Sequence, residues 1–337
     1  MSGQAPAAGG QGRPSIGGQA LVEGVMMRGP QRWALAVRLP DGQISTEVHL
    51  LPWYPSDHPW VRTPFIRGVS ILAESLAIGM RALRISAAYS LSSEAVSSEA
   101  LSEAGAGTRA GEAEVSERQL GWTMGIAIAV FAVVFVAAPA LATKLGGHVI
   151  GVNSSLGQNL IEGAIRLGLF LGYISLISLI PDIRRVYQYH GAEHKVIAAY
   201  ENGDPLQPEV VDRYPTLHVR CGTNFLFIVL FLTIFVGLAL DFLLPHVLLL
   251  RVAARVVVIP LLAAFGYEII RAASRDERSL VFRVASLPGL ALQKITTRAP
   301  DRDQIEVAIR ALEAVVAAEA LAAGVAGPEG RLTSEPN

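Results

Sequence analysis

The chain has 337 residues, of which 51% are hydrophobic and 17% charged, a balance too apolar and too charge-poor for an ordinary soluble domain. With 28 basic and 29 acidic residues its formal charge is −1, which argues against a general nucleic-acid binder. The single cysteine, Cys221, excludes an intrachain disulfide and leaves one thiol to serve as a ligand or as packing.

In chain order, residues 1–14 are Gly/Ala/Pro-rich without an apolar core, and read as a disordered leader rather than a cleavable secretory signal. Residues 15–89 are expected to form a small cytoplasmic β element followed by an amphipathic helix. Stretches 34–39 and 44–50 flank Pro40, Asp41, Gly42 and Gln43, a turn composition that predicts a hairpin. From about 64 to 89, Val69, Leu72, Leu76, Met80 and Leu83 share one helical face, with Arg67, Glu74, Arg81 and Arg84 opposite. Such a stripe packs on a helical bundle or lies on a membrane surface. Between these elements, Trp53, Tyr54 and Trp60 fit an interfacial aromatic belt or a rigid proline-bounded loop. Residues 90–117 are rich in Ser, Glu, Ala and Gly with few large apolar side chains, the composition of a flexible linker.

Residues 118–283 read as a membrane domain with spans at about 120–143, 160–181, 221–240 and 252–270. The first and third carry no charge. The second has Glu162 and Arg166, expected near one end, and the fourth has Arg255, Pro260 and Glu268. Arg184, Arg185, Lys195, Arg213 and Arg220 lie between the second and third spans, and Arg271, Arg275, Arg278 and Arg283 follow the fourth. The positive-inside rule then places both termini and the 182–220 connection in the cytoplasm, as expected of a multi-pass membrane protein. A cytoplasmic segment and helix at 284–323, capped by Asp301 with Gln304 three residues on, precede a disordered tail at 324–337. The expected class is a mainly α polytopic membrane protein with about four transmembrane helices. Membrane lipids are its expected surroundings.

The chemistry concentrates in Tyr189-His-Gly-Ala-Glu-His-Lys195. In a helix, His190 and His194 share a face with Glu193 beside them, the inverse of the zinc-protease His-Glu-x-x-His pattern. An antiparallel pair of spans returns His218 and Cys221 to the same interface, so that four potential ligands for a divalent metal such as Zn2+ gather on one connection. Three readings stay open. Three ligands with an open position, and Glu193 as base, make a hydrolase; His190, His194, His218 and Cys221 together close a structural site; hydrogen-bonded histidines and a packed cysteine need no metal. Glu201 lies on the His190 face but about 10 Å along the helix from His194, too far for one ion. Glu23 and Arg28, within Gly17–Arg28, either line the cleft or form an internal salt bridge in a glycine-rich turn.

Gly17-Gly-Gln-Ala20, Glu23-Gly-Val-Met-Met-Arg28, Arg67-Gly-Val69, Glu74-Ser-Leu76, His190-Gly-Ala-Glu-His-Lys195 and Arg220-Cys-Gly-Thr223 together resemble the bacterial YqhQ family, over about 16–312 without the linker. The family has a domain of unknown function whose members often carry the label of predicted metal-dependent enzyme. Val219 stands where the family pattern has proline. The resemblance implies a multi-pass protein of the bacterial inner membrane, and its metal label rests on the same histidines. The expected function is metal-dependent hydrolysis of a membrane-associated peptide or lipid; the alternative is a non-enzymatic scaffold or biogenesis factor, contacting a membrane-protein partner, whose metal is structural.

Overall fold

The computed structural model describes residues 14–51, 63, 65–102, 117–149, 154–219, 221–244, 247–273 and 279–322. The expectations for most of the leader, for Trp53, Tyr54 and Trp60, for residues 103–116 of the linker and for the 324–337 tail lie outside these residues.

Four strands, β1 (Gly17–Leu21), β2 (Gly24–Arg28), β3 (Arg32–Arg38) and β4 (Ile44–Leu50), form an antiparallel sheet in the order β1-β2-β3-β4. The hairpin read from the sequence is β3–β4, and Gly42 at its turn adopts φ 86°. The 17–28 run is not merely a turn but a second hairpin. Its two-residue loop is Val22 and Glu23, and Glu23 has φ 52°, a left-handed conformation costing on the order of 1–3 kcal/mol for a residue with a side chain.

Strand alternation explains why β3, Arg-Trp-Ala-Leu-Ala-Val-Arg, is apolar throughout its centre. Ala34 and Ala36, with Val25 and Met27 of β2, face one cluster; Trp33, Leu35 and Val37, with Met26, face another. The sheet is therefore the middle layer of three. On one side lie α5 (Pro181–Asn202) and α10 (Arg302–Ala322), and on the other α1 (Ile66–Ser102), which contributes Ile78 and Ala82. The small alanines of β3 admit Ala308 and Ala311 of α10. The expected cap of α10 is present in both directions: Gln304 N donates to Asp301 Oδ1 at 2.8 Å, and Asp301 N donates to Gln304 Oε1 at 3.0 Å.

α1 continues through Ser102 into the stretch expected as linker, since Ala and Glu there favour helix even though they offer little to bury. Near its start α1 packs on α8 (Leu248–Ala273), where Arg67 Nε donates to Glu268 Oε1 at 2.7 Å. The remaining apolar helices are α2 (Glu117–Ala132), a π-helical turn at Val133–Ala137, α3 (Ala138–Val149), α4 (Ser155–Ile177) and α7 (Gly222–Leu243). Short α6 (Pro208–Val211) and α9 (Leu280–Thr296) complete the helices of the described residues.

Two stretches are long and apolar enough to cross a membrane, Gly125–Thr143 and Leu156–Ile177, and Gly222–Gly237 is a shorter apolar one. The second stretch differs from the 160–181 expectation. Ser154 accepts from Gly157 N and starts α4 early, while Pro181 occupies the first turn of α5. Arg166 consequently falls mid-helix rather than near an end. It donates to Glu162 at 2.6 Å, to Thr233 Oγ1 of α7 at 3.2 Å and to the Phe135 carbonyl in the π-helical turn at 2.9 Å.

Candidate metal centre

The site is built on one face of α5. Residues 190, 193, 194, 197 and 201 follow helical spacing, and all five border a cavity of about 450 Å3 closed by β1, His218 and the start of α7. The helix stops where the sequence indicates, at Asn202, with Gly203 in the left-handed C-cap conformation, φ 80°.

His190 Nδ1 lies 2.8 Å from the Thr296 carbonyl, and His194 Nδ1 lies 2.5 Å from the Thr216 carbonyl. A carbonyl oxygen only accepts, so each Nδ1 carries a proton, and in the neutral tautomer Nε2 is the bare nitrogen. Both bare nitrogens serve the same place. His190 Nε2 is 3.3 Å from Cys221 Sγ, and donor atoms of His190, His194 and Cys221 all lie within 4.8 Å of one another. Tetrahedral Zn2+ separates N and S donors by about 3.3–3.6 Å, so closing around an ion needs movements of about 1 Å. His194 Nε2 is fully buried without a hydrogen-bond partner among the described residues, and the side chain is 2% exposed. The polar group within reach of that lone pair is the Cys221 sulfur, and a cation held between them satisfies both. Burial holds the His194 imidazole below its ordinary value of 6.5, keeping it in the neutral form that ligates.

Cys221 caps α7, and its sulfur accepts from Thr223 N at 3.5 Å and Thr223 Oγ1 at 3.4 Å. These contacts fix the sulfur at the start of the helix, on the cavity side. Glu193 is buried against β1: a Cβ placed on Gly18 would sit 2.6 Å from its Cγ and Oε1. Burial raises the Glu193 pKa, while His190 and His218 oppose the rise. Burial of this kind favours the protonated carboxyl over the carboxylate.

The structure separates the other expected residues. His218 is not within the three-donor group; its Nε2 lies 3.3 Å from Glu201 Oε2, and its ring centroid is 5.7 Å from that of His194. Glu201 thus enters the cavity as the partner of His218. Glu23 and Arg28 do not border the cavity and are not paired with each other. Glu23 takes Arg185 in a two-pronged ion pair at 2.5 Å and accepts from Tyr189 Oη at 3.2 Å, offsetting its strained backbone, while Arg28 bonds Glu74 and donates to Ser75 Oγ at 3.0 Å.

Several supporting groups escaped the sequence reading. Gln293, fully buried in α9, clamps the His218 backbone by accepting from its N at 2.8 Å and donating to its O at 2.9 Å. Lys195 Nζ donates to Asp212 Oδ1 at 2.8 Å and to the Asp212 carbonyl at 2.5 Å, tying down the loop that supplies Thr216. Gly191 lets the chain after α9 approach, for a Cβ there would meet the Arg298 carbonyl oxygen at 2.1 Å. A glycine inside a helical motif was the available signal for this close approach. Gln293 and the two threonine carbonyls left no sequence mark.

The arrangement defines a helix-borne His-x-x-Glu-His site set between a small sheet and a group of apolar helices. The chain belongs to the family described as "Protein of unknown function (DUF1385)", whose model matches residues 63–318. It is 34% identical over 318 residues to "Uncharacterized protein YqhQ" of Bacillus subtilis (strain 168), covering 91% of this chain and 94% of that protein, which bears out the YqhQ resemblance. No solved structure matches.

Proposed function

We propose that the chain is a multi-pass protein of the bacterial inner membrane, with cytoplasmic termini, that hydrolyses a membrane-associated substrate at a divalent-metal site on its cytoplasmic face. The observation carrying the chemistry is the pair of carbonyl-fixed histidines whose free nitrogens meet Cys221, beside an open cavity and a buried carboxyl. Membrane placement is supported by apolar helices turned outward. Only 6% of the Gly125–Thr143 window and 22% of the Leu156–Ile177 window are buried, unlike the core helices of a soluble protein. α7 and α8, with exposed Phe231, Phe235, Val257 and Leu261, supply the other two spans of this reading.

His190, His194 and Cys221 would hold the ion, with zinc suited to a nitrogen and sulfur donor set. When bound, it would polarise the scissile carbonyl and make an attacking water more acidic. Glu193 would accept the water's proton and return it to the leaving group. The Thr296 and Thr216 carbonyls keep both imidazoles in the ligating tautomer. Glu201 holds His218 at the cavity wall, where it is placed to contact substrate. A closed structural site would need His218 as fourth ligand, and its engagement with Glu201 favours the open site.

The test is a comparison of wild type with Glu193→Gln, matched for metal content, against peptide and lipid-ester substrates in detergent. The reading expects full zinc and at least about 100-fold slower turnover in the variant. Equal turnover would return the site to a structural role.

A further inference from the structure

β1 is an outer strand, and no described segment pairs with its far side. Together with Ile16 it forms one wall of the cavity holding His190, Glu193 and His194. The register shows which of its main-chain groups face outward. A two-residue loop closed by Leu21 and Gly24 makes that pair a hydrogen-bonded one, and such pairs alternate along an antiparallel ladder. Gln19 and Gly17 are then bonded to β2, while Ala20 and Gly18 direct their N–H and C=O away from it.

Exposed edges are usually blocked by lysine, proline, a bulge or a covering segment. β1, Gly-Gly-Gln-Ala-Leu, has neither lysine nor proline, and both glycines are exposed. A side chain at Gly17 would meet nothing within 4 Å. At Gly18 the opposite holds, because the missing side chain is what allows the Glu193 carboxyl to sit directly against the strand. Glycine in a strand marks a place of close backbone approach, and at Gly18 the approach is from the helix below.

We propose that β1 is a docking edge for an extended polypeptide, which adds as a further strand and presents a peptide carbonyl beside Glu193 and the His190, His194 and Cys221 donors. This rests on the hydrolytic reading and narrows its substrate class from peptide or lipid to peptide. The water oxygen bonds to the carbonyl carbon, the C–N bond breaks, and the proton taken up by Glu193 leaves on the amine. Main-chain pairing to Gly18 and Ala20 supplies affinity, and Val186, Ile197 and Leu226 offer apolar contacts to alternate side chains. A lipid ester can accept from the outward N–H groups of β1 but has no N–H to give its outward carbonyls, so only a peptide satisfies both sets of groups along the edge.

The probe is a randomised decapeptide library, incubated with full-length Glu193→Gln protein in detergent and with the same protein carrying Ala20→Pro. Proline at position 20 removes an outward N–H while leaving the β1–β2 ladder its bonds. Retained peptides should be depleted about tenfold by Ala20→Pro, with zinc content unchanged. The most enriched peptide, resynthesised with N-methyl groups on alternate nitrogens, should lose binding about tenfold in one methylation phase and keep it in the other. This second measurement needs no change in the protein. Retention no greater than on empty resin, or equal loss in both phases, overturns the proposal. Zinc bound without peptide retention sinks the docking edge but leaves the metal reading standing; phase-dependent peptide binding by zinc-free protein does the reverse.

Discussion

Gly191→Ala separates helix propensity from packing by the sign of its effect. Position 191 is inside α5, where alanine is favoured over glycine by about 1 kcal/mol if nothing else changes. The added methyl, however, would stand 2.1 Å from the Arg298 carbonyl oxygen, whereas ordinary contact begins at 3.4 Å. Helix and strap must part by about 1 Å, at an overpacking cost of about 1–3 kcal/mol. Such a shift also stretches the 2.8 Å bond from His190 to the Thr296 carbonyl and the 2.9 Å bond from Arg298 N to the Tyr187 carbonyl, each contributing about 1 kcal/mol. The net expectation is a destabilisation of about 2–4 kcal/mol, with weaker zinc binding because His190 loses its orienting partner. Denaturant midpoints of the purified full chain in detergent measure it, with Gly17→Ala as the control in open space. If Gly191→Ala is as stable as wild type or more so, the close approach is not what fixes His190.

Gln293→Ala should cost about 2–4 kcal/mol by unclamping the His218 backbone, and the same denaturation series would show little change if the two bonds are dispensable. Arg166→Met should destabilise by about 3–5 kcal/mol by removing the charge paired with Glu162, and adding Glu162→Gln should recover part of it; a double variant no better than the single would refute a pairing role. His194 gives a pH dependence to the metal-free protein. Its folded pKa lies below 6.5, so the unfolded chain binds the proton more tightly, and stability should fall as pH drops below about 6.5 towards the folded pKa, while the group contributes nothing above it. His194→Gln should flatten that slope, and an unchanged slope would assign it elsewhere.

Patterns with a local cause were legible. The alternation and turn residues at 34–50 gave the β3–β4 hairpin, the Asp301–Gln304 spacing gave the α10 cap, and His190, Glu193 and His194 share a face because helix periodicity requires it. Cys221 joined them because antiparallel helices return the chain to one end. What depended on partners distant in sequence was not legible. Glu23 and Arg28 look like neighbours in the chain, yet Arg185 and Glu74 claim them across the fold, and His218 is diverted by Glu201. Apolarity located α4, but its register waited on Ser154 and Pro181, and that shift moved Arg166 to the middle of the helix.

A three-residue metal site with a position left for chemistry underlies the proposed hydrolysis. It is tested most directly by zinc content, measured by mass spectrometry on purified full-length protein and on His190→Ala, His194→Ala, Cys221→Ala and His218→Ala variants. About one zinc per chain is expected in wild type and His218→Ala, and loss in the other three. Metal-free wild type would contradict the site, and loss of zinc in His218→Ala would contradict its open position.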